Sequence, residues 1–129
     1  MHFLKNEILD LIKNCGSESV EFKKSTSSLR EAIQTICAFS NHHGGYVIFG
    51  VDDIGRILGQ QVTDDTIKNI SNAIKLNTDP KLYPIIEKMD LEGKTCLLGS
   101  VDESPLKPHL AYGRAYLRVG TTNQEIDRD

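Results

Sequence analysis

Two adjacent histidines, His42 and His43, precede a pair of glycines in the segment that joins two predicted elements. Imidazole titrates near neutral pH, so a histidine in this turn can act as a general acid or contact a phosphate group. Neighbouring histidines in a loop are more commonly just solvated. Both interpretations stay open at the level of the sequence.

The glycine pair, Gly44 and Gly45, also allows two interpretations. Glycine adopts positive φ and permits close packing, so the pair can simply join a helix to a strand. Alternatively, backbone amides beside Asn41 can cradle a phosphate. The pair falls at the C-terminus of a predicted helix, however, and lacks the Gly-Lys-Ser/Thr sequence of a P-loop. We therefore favour the packing role, and nothing in the sequence indicates ATP hydrolysis.

The overall charge limits the kind of binding protein that this chain can be. Lys and Arg number 15 against 18 Asp and Glu, which gives a formal net charge of −3. Proteins that coat nucleic acid by neutralising phosphates usually carry a net basic surface, so a non-specific DNA coat protein is not expected. A local basic patch, or an acidic pocket that binds phosphate through divalent cations, is compatible with this charge.

The cysteines and the apolar runs point to a cytoplasmic protein. Cys15, Cys37 and Cys96 lie far apart, cannot all pair, and lack the short spacings of a zinc site, so we expect core residues in a reducing compartment. The first residues do not have the pattern of a secretory signal, and no apolar run is long enough to span a membrane.

Periodicity predicts the elements that position the polar residues. Apolar residues at helical spacing predict an amphipathic helix over residues 3–14. Residues 19–23 alternate polar and apolar, which predicts a strand with Val20 and Phe22 facing inward and the two charged residues sharing the other face. A helix then starts at Ser27 or Ser28, with a capping box at Ser28, and runs to about residue 40.

The next segment is a continuous apolar run, residues 46–51, typical of a central strand buried on both faces. We expect it to form a β-hairpin with residues 57–59 and to place Asp52 and Asp53 where it leaves the core. A helix capped by Thr63 or Asp64 follows.

Further strands and one further helix are predicted downstream. A second hairpin is expected from residues 83–89 and 95–101, a last alternating strand from 115–119, and the start of another helix at 124–129. Together these elements predict an α+β fold in a single domain over residues 1–129, with a mixed or antiparallel sheet built from hairpins and helices packed on it. The charged end suggests a segment of a longer protein.

Four segments occur here in a specific order and spacing, namely residues 19–23, 36–53, 104–109 and 116–122. Together they resemble the Schlafen AlbA domain of bacteria and archaea, which is shared with animal Schlafen proteins. The resemblance covers roughly residues 12–123. It implies an AlbA-like fold, binding of DNA or RNA, a place in transcriptional regulators and, in some relatives, metal-dependent cleavage of RNA.

In the nuclease-active relatives, three acidic residues hold a divalent cation, Mg²⁺ or Mn²⁺, that acts on the scissile phosphate. The resemblance assigns Glu21 to the second acid and Asp52, with Asp53 beside it, to the third. The first acid is replaced by Gly16. The nearest carboxylate, Glu18, lies three positions before Glu21, which along a strand points to the other face unless a turn intervenes. The alternative role for Glu21 and Asp52 is pairing with nearby cations.

Basic residues in or near the four segments are the candidates for contact with a nucleic-acid backbone: Lys23, Lys24, Arg30, Lys107, His109, Arg114 and Arg118. Such charges commonly form a solvated face, and they make a phosphate-binding stripe only if the fold gathers them. Tyr112 and Tyr116 can stack on unpaired bases, although a core role is expected for at least one.

Three hypotheses follow. The first is a nucleic-acid-binding module, and the second is a metal-dependent endoribonuclease acting on structured RNA such as tRNA. The third is a regulatory interaction domain that binds no nucleic acid, which the net negative charge of the chain leaves open. The sequence does not distinguish a monomer from a homo-oligomer.

Overall fold

A computed structural model describes residues 5–14 and 17–126 of the chain. Within these residues the helices are α1 (Lys5–Lys13), α2 (Leu29–Ser40) and α3 (Asp64–Asn77). The strands are β1 (Val20–Lys23), β2 (Gly45–Phe49), β3 (Thr78–Asp79), β4 (Ile85–Leu91), β5 (Lys94–Val101), β6 (Leu110–Ala111), β7 (Arg114–Val119) and β8 (Thr122–Glu125). A short 3₁₀ turn, Thr26–Ser28, leads into α2.

The first sheet has the strand order β1-β2-β5-β4 and is mixed. Strands β1 and β2 are parallel, with Val20 opposite Tyr46 and Lys23 opposite Phe49, and α2 forms the connection between them. The other pairs are antiparallel. All five residues of β2 are buried, since this strand has a neighbour on each side and apolar residues on both faces.

The core consists of two apolar clusters, one on each face of β2. Val47 and Phe49 face α2 and α3, whereas Ile48 and its neighbours face α1, which contributes Ile8 and Ile12. The second sheet has the order β3-β6-β7-β8 and is antiparallel, and α2 contacts its strands β6, β7 and β8 as well as the first sheet. Helix α2 therefore joins the two sheets, and the predicted α+β class is confirmed.

Most of the predicted local elements are present. Strand β1 buries Val20 and Phe22 and leaves the two charged residues partly exposed, as the alternation predicts. Thr63 caps α3 in a capping box with Thr66. Ser28 is the N-cap of α2, but its side chain makes no capping hydrogen bond.

Two predictions from local pattern are wrong. Residues 46–59 do not form the expected hairpin of two strands, because β2 pairs with β1 and β5. The chain does reverse after β2, but the backbone of residues 56–59 is joined to that of residues 50–52 only by the Val51–Ile57 bridge and a few hydrogen bonds. The predicted terminal helix is also wrong in its described part, since Thr122–Glu125 forms β8 against β7. Residues 3–4 of the first predicted helix and 127–129 of the last lie outside the described residues.

The cysteines of the described chain are core residues. Cys37 and Cys96 are buried, and burial raises the pKa of the Cys37 thiol to about 11, so this thiol stays protonated at neutral pH. Cys15 lies outside the described residues. Neither described thiol therefore has the environment of a reactive or metal-binding cysteine.

Candidate functional site

Lys23, a predicted nucleic-acid contact, belongs to a chain of ion pairs on the outward face of β1. Its Nζ lies 3.1 Å from Oε2 of Glu31 and 4.0 Å from Oε2 of Glu21. The lysine side chain is mostly buried, while Glu31, in the first turn of α2, is exposed. Lys23 therefore links β1 to α2, and its charge is compensated.

Arg118 is the most buried cation of the described chain, with 2% of its surface exposed. Its Nη2 donates to Oε1 of Glu21 at 2.8 Å, and its Nη1 donates to Oδ1 of Asn123 at 2.9 Å. It also donates to two backbone carbonyls before β1, those of Glu18 at 3.2 Å and Ser17 at 3.3 Å. Arg118 thus ties β7 and β8 to β1, and it is not presented to a ligand.

Asp52 organises the turn that follows β2. Its Oδ1 accepts from the backbone N–H groups of Ile54 and Arg56 at 3.2 and 2.8 Å, and its Oδ2 accepts from Nε of Arg56 at 3.0 Å. The backbone hydrogen bond from Arg56, its guanidinium and the Ile54 amide hold the pKa of this carboxyl below its usual range. Asp53 is exposed beside it.

Among the described residues, the acids that the resemblance assigns to a metal site do not form a group of three ligands. Glu21 lies opposite Val47, and Asp52 comes five residues later in the chain. The Glu18 carboxylate lies 2.9 Å from Nε2 of His42 instead of joining Glu21. Gly16 lies outside the described residues.

The donor set therefore does not fit a Mg²⁺ or Mn²⁺ ion. Such ions need several oxygen ligands around one point, and the carboxylates of Glu21 and Asp52 are already neutralised by arginines. Over residues 5–14 and 17–126, no three His, Cys, Asp or Glu side chains are placed to share a metal.

The adjacent histidines face carboxylates on two different segments. His42 is paired with Glu18, and Nδ1 of His43 lies 3.4 Å from Oε1 of Glu103. Glu103 is also paired with Lys107, and the pKa of Glu103 is lowered first by Lys107 and then by His43. His42 is therefore held against Glu18, whereas the His43 side chain remains largely exposed. The predicted contact Lys107 carries a compensated charge.

His109, another predicted nucleic-acid contact, is buried, with 2% of its surface exposed. Its Nδ1 lies 2.6 Å from the carbonyl oxygen of Pro80, which can only accept, so Nδ1 carries the proton. The hydroxyl of Ser104 then donates to Nε2 at 2.6 Å. Both ring nitrogens are occupied within the protein, and His109 anchors the irregular loop before β6.

Asn41, which in the sequence is only the neighbour of a possible phosphate cradle, is a structural residue. Its Nδ2 donates to the carbonyls of His109 and Tyr116 at 3.0 and 2.9 Å, and its Oδ1 accepts from the His109 N–H at 2.7 Å. One signal could have found it, because it lies four residues after the buried Cys37 and thus on the core face of α2.

The glycine pair fills a tight junction. A Cβ on Gly44, whose φ is +79°, would lie 2.7 Å from the Val101 carbonyl oxygen. A Cβ on Gly45 would lie 2.7 Å from the Ser19 carbonyl oxygen and 2.8 Å from the Phe39 ring. A side chain at either glycine would therefore collide with backbone or ring atoms, and the Gly44 N–H already donates to the Phe39 carbonyl at 2.8 Å, which favours the packing role.

Three of the predicted cationic residues lie on the outer surface around the start of α2 and the turn between β6 and β7. Lys24 and Arg30 are exposed, and the guanidinium carbon of Arg30 lies 3.9 Å above the centroid of the Tyr112 ring. Arg114 is exposed and paired with Glu125. Tyr112 is half-buried and packs on the core beside Tyr116, whose hydroxyl accepts from Nε2 of Gln34.

This site belongs to a domain that matches a known family over most of its length. The family model described as Schlafen, AlbA_2 matches residues 16–127. The chain is a member of the Schlafen AlbA_2 family. All four segments that resemble the Schlafen AlbA domain lie within the matched residues, which we call the AlbA_2 domain.

Solved structures share the fold of this AlbA_2 domain. One is the N-terminal domain of a Nitrosomonas europaea protein described as related to the ATP-dependent DNA helicase RecG. It has a TM-score of 0.72 and 24% identity, with 99% of this chain and 96% of that one covered. Another is the DIP2311 protein of Corynebacterium diphtheriae, with a TM-score of 0.70, 22% identity, and 86% of this chain but only 22% of that one covered. At these identities the likeness concerns the fold.

The helices of the AlbA_2 domain are short, and α3 has 14 residues. In the part of the chain that the structure describes, none of the helices combines the length and the apolar character that a bilayer span requires.

Proposed function

We propose that this AlbA_2 domain binds nucleic acid through the exposed surface formed by Lys24 and Arg30, here called the basic surface. Membership in the Schlafen AlbA_2 family supports the proposal, as does a structural relative described as RecG-related. The observation that carries it is that Lys24 and Arg30 are exposed and, among the described residues, make no ion pair with a carboxylate. The other predicted contacts are paired or buried.

The charge of the domain limits the strength of this binding. With a formal net charge of −3, long-range attraction to a polyanion is weak, and a few local cations must supply the contact. Affinity is therefore modest and falls steeply as salt is added. A role in transcriptional regulation would use the same surface to place a larger protein on its nucleic acid.

The first prediction tests the basic surface with the double variant Lys24→Ala, Arg30→Ala. We expect weaker binding to all sequences and a salt dependence whose slope is reduced by about 0.7–0.9 for each phosphate that the protein no longer neutralises. Fluorescence anisotropy with labelled single-stranded RNA and DNA over a series of KCl concentrations measures both quantities.

Lys107→Ala is the matched control for this prediction, because it removes an exposed lysine whose charge is already compensated by Glu103. We expect it to change the affinity and the slope little. If Lys107→Ala weakens binding more than the double variant does, the contact surface lies on the loop before β6 and the basic surface is the wrong choice.

The metal-dependent endoribonuclease is the rival function, and the arrangement of its acids does not favour it. The second prediction is that millimolar Mg²⁺ or Mn²⁺ leaves the thermal midpoint of unfolding unchanged, because Glu21 and Asp52 are bound to arginines. Thermal unfolding followed by circular dichroism, with and without each ion, measures the midpoint. A cleavage assay on tRNA under the same conditions measures activity. Metal-dependent cleavage that both Glu21→Gln and Asp52→Asn abolish, in folded protein, would establish the enzyme.

A further inference from the structure

An open groove lies beside the turn between β6 and β7, next to the basic surface. Its volume is about 580 Å³, within the range of small-ligand sites. Its walls include three aliphatic side chains, one aromatic side chain and one ion pair, contributed by Leu110, Ala115, Ile126, Tyr112, Arg114 and Glu125. The walls of the groove are thus mainly apolar, and the Arg114–Glu125 ion pair adds charged groups at one position.

Tyr112 connects this groove to the basic surface. Its ring lines the groove, and the guanidinium carbon of Arg30 lies 3.9 Å from the centroid of the same ring. Tyr112 adopts a φ of +53°, a left-handed conformation that a bulky residue rarely takes, and Gly113 follows at +78°. Its backbone N–H donates to the Asn77 carbonyl at 2.9 Å, which fixes the turn to the end of α3. Tyr112 and Gly113 are thus the central residues of a two-residue hairpin turn, and Glu92 and Gly93 adopt the same conformation between β4 and β5.

Arg30 is held in a defined orientation by this contact. A guanidinium lying on an aromatic ring keeps its edge N–H groups free, and these donate to phosphate oxygens in a planar fork. Because Arg30 has no carboxylate partner within the described chain, its charge is available to an anion. The ring therefore places a free positive charge next to an apolar groove.

We propose that this groove receives an unpaired nucleotide of a single-stranded nucleic acid, with the base against the apolar walls and the phosphate at Arg30. This inference rests on the proposed function and names its substrate class. A base has apolar faces joined to an anionic backbone, which matches apolar walls beside a free guanidinium. The Arg114–Glu125 pair offers a donor and an acceptor to the polar edge of the base. Bases inside a duplex are stacked and paired, so they cannot enter.

Three variants test the site by fluorescence anisotropy with a short labelled single-stranded oligonucleotide and with the blunt-ended duplex that this strand forms with its complement. Ala115→Leu fills the groove without changing the charge, and Arg30→Ala removes the cation. Each is expected to weaken single-strand binding by about tenfold, since one stacked base and its contacts are worth this much. Arg30→Lys keeps the charge but not the planar fork, so it should fall between Arg30→Ala and the wild type.

Lys68→Ala is the charge-matched control for Arg30→Ala, because Lys68 is exposed on α3 and does not line the groove. It should leave the affinity close to that of the wild type. Circular dichroism of each variant establishes that the fold is kept.

The outcomes separate this inference from the proposed function. Weaker single-strand binding by Ala115→Leu and Arg30→Ala, with Lys68→Ala unchanged, supports the groove. Oligonucleotide binding that Ala115→Leu leaves intact overturns the groove and leaves the proposed function standing. Tighter binding of the duplex than of the single strand also overturns it. No binding of either probe by the wild type defeats both.

Discussion

Replacing Arg118 with methionine is expected to lower the free energy of unfolding by about 3–4 kcal/mol. Methionine keeps much of the buried volume, but it removes the donors to Glu21, Asn123 and the carbonyls of Ser17 and Glu18. Hydrogen bonds from a charged group stabilise by about 1.5–3 kcal/mol each, but they are not additive. Because Glu21 is partly exposed, it can recover some hydration, which keeps the loss below the sum.

Urea denaturation followed by far-UV circular dichroism measures this loss, since the chain contains no tryptophan for fluorescence. Arg114→Met is the matched control. It breaks an ion pair of the same type with Glu125, but both partners are exposed, so we expect a change of under about 1 kcal/mol. If the two variants unfold at the same urea concentration, Arg118 does not hold the two sheets together.

Replacing Asn41 with alanine is expected to lower the free energy of unfolding by about 3–5 kcal/mol, because it leaves buried backbone groups without partners. Three groups lose a hydrogen bond: the N–H and carbonyl of His109 and the carbonyl of Tyr116. Asn41 is 8% exposed, so water has little access to replace the amide. The loop before β6 and strand β7 would both lose their attachment to the end of α2.

Asn77→Ala is the control for this second variant, because Asn77 donates a single hydrogen bond to the Ala73 carbonyl at a partly exposed helix end. We expect a loss of about 1 kcal/mol there. Asn41→Asp adds a sharper comparison. It preserves the acceptor for the His109 N–H but faces the two carbonyls with an oxygen, so it should be at least as unstable as Asn41→Ala. An Asn41→Asp variant as stable as the wild type would show that these three hydrogen bonds do not hold the loop before β6 and strand β7 to α2.

Basic residues that look equivalent in the sequence have different roles in the folded chain. Lys23, His109 and Arg118 looked as eligible for phosphate contact as Lys24 and Arg30, because each is a basic residue in or near a recognised segment. Burial and ion pairing distinguish them, and both depend on contacts between distant parts of the chain. Arg118, for example, donates to a residue 97 positions away. A local pattern contains no information on such a partner.

From the amino-acid sequence alone we could predict the α+β class, the burial side of β1, the helices α2 and α3, the hairpin of β4 and β5, and the family. These follow from periodicity, capping residues and segment order, which are properties of neighbouring residues. The pairing of β2 with β1 and β5 instead of with residues 57–59 emerges only in the folded chain, since several strands compete for the same partner. The contacts of Glu21 with Arg118 and of Arg30 with Tyr112 also depend on the folded chain, because the sheets and helices bring these side chains together.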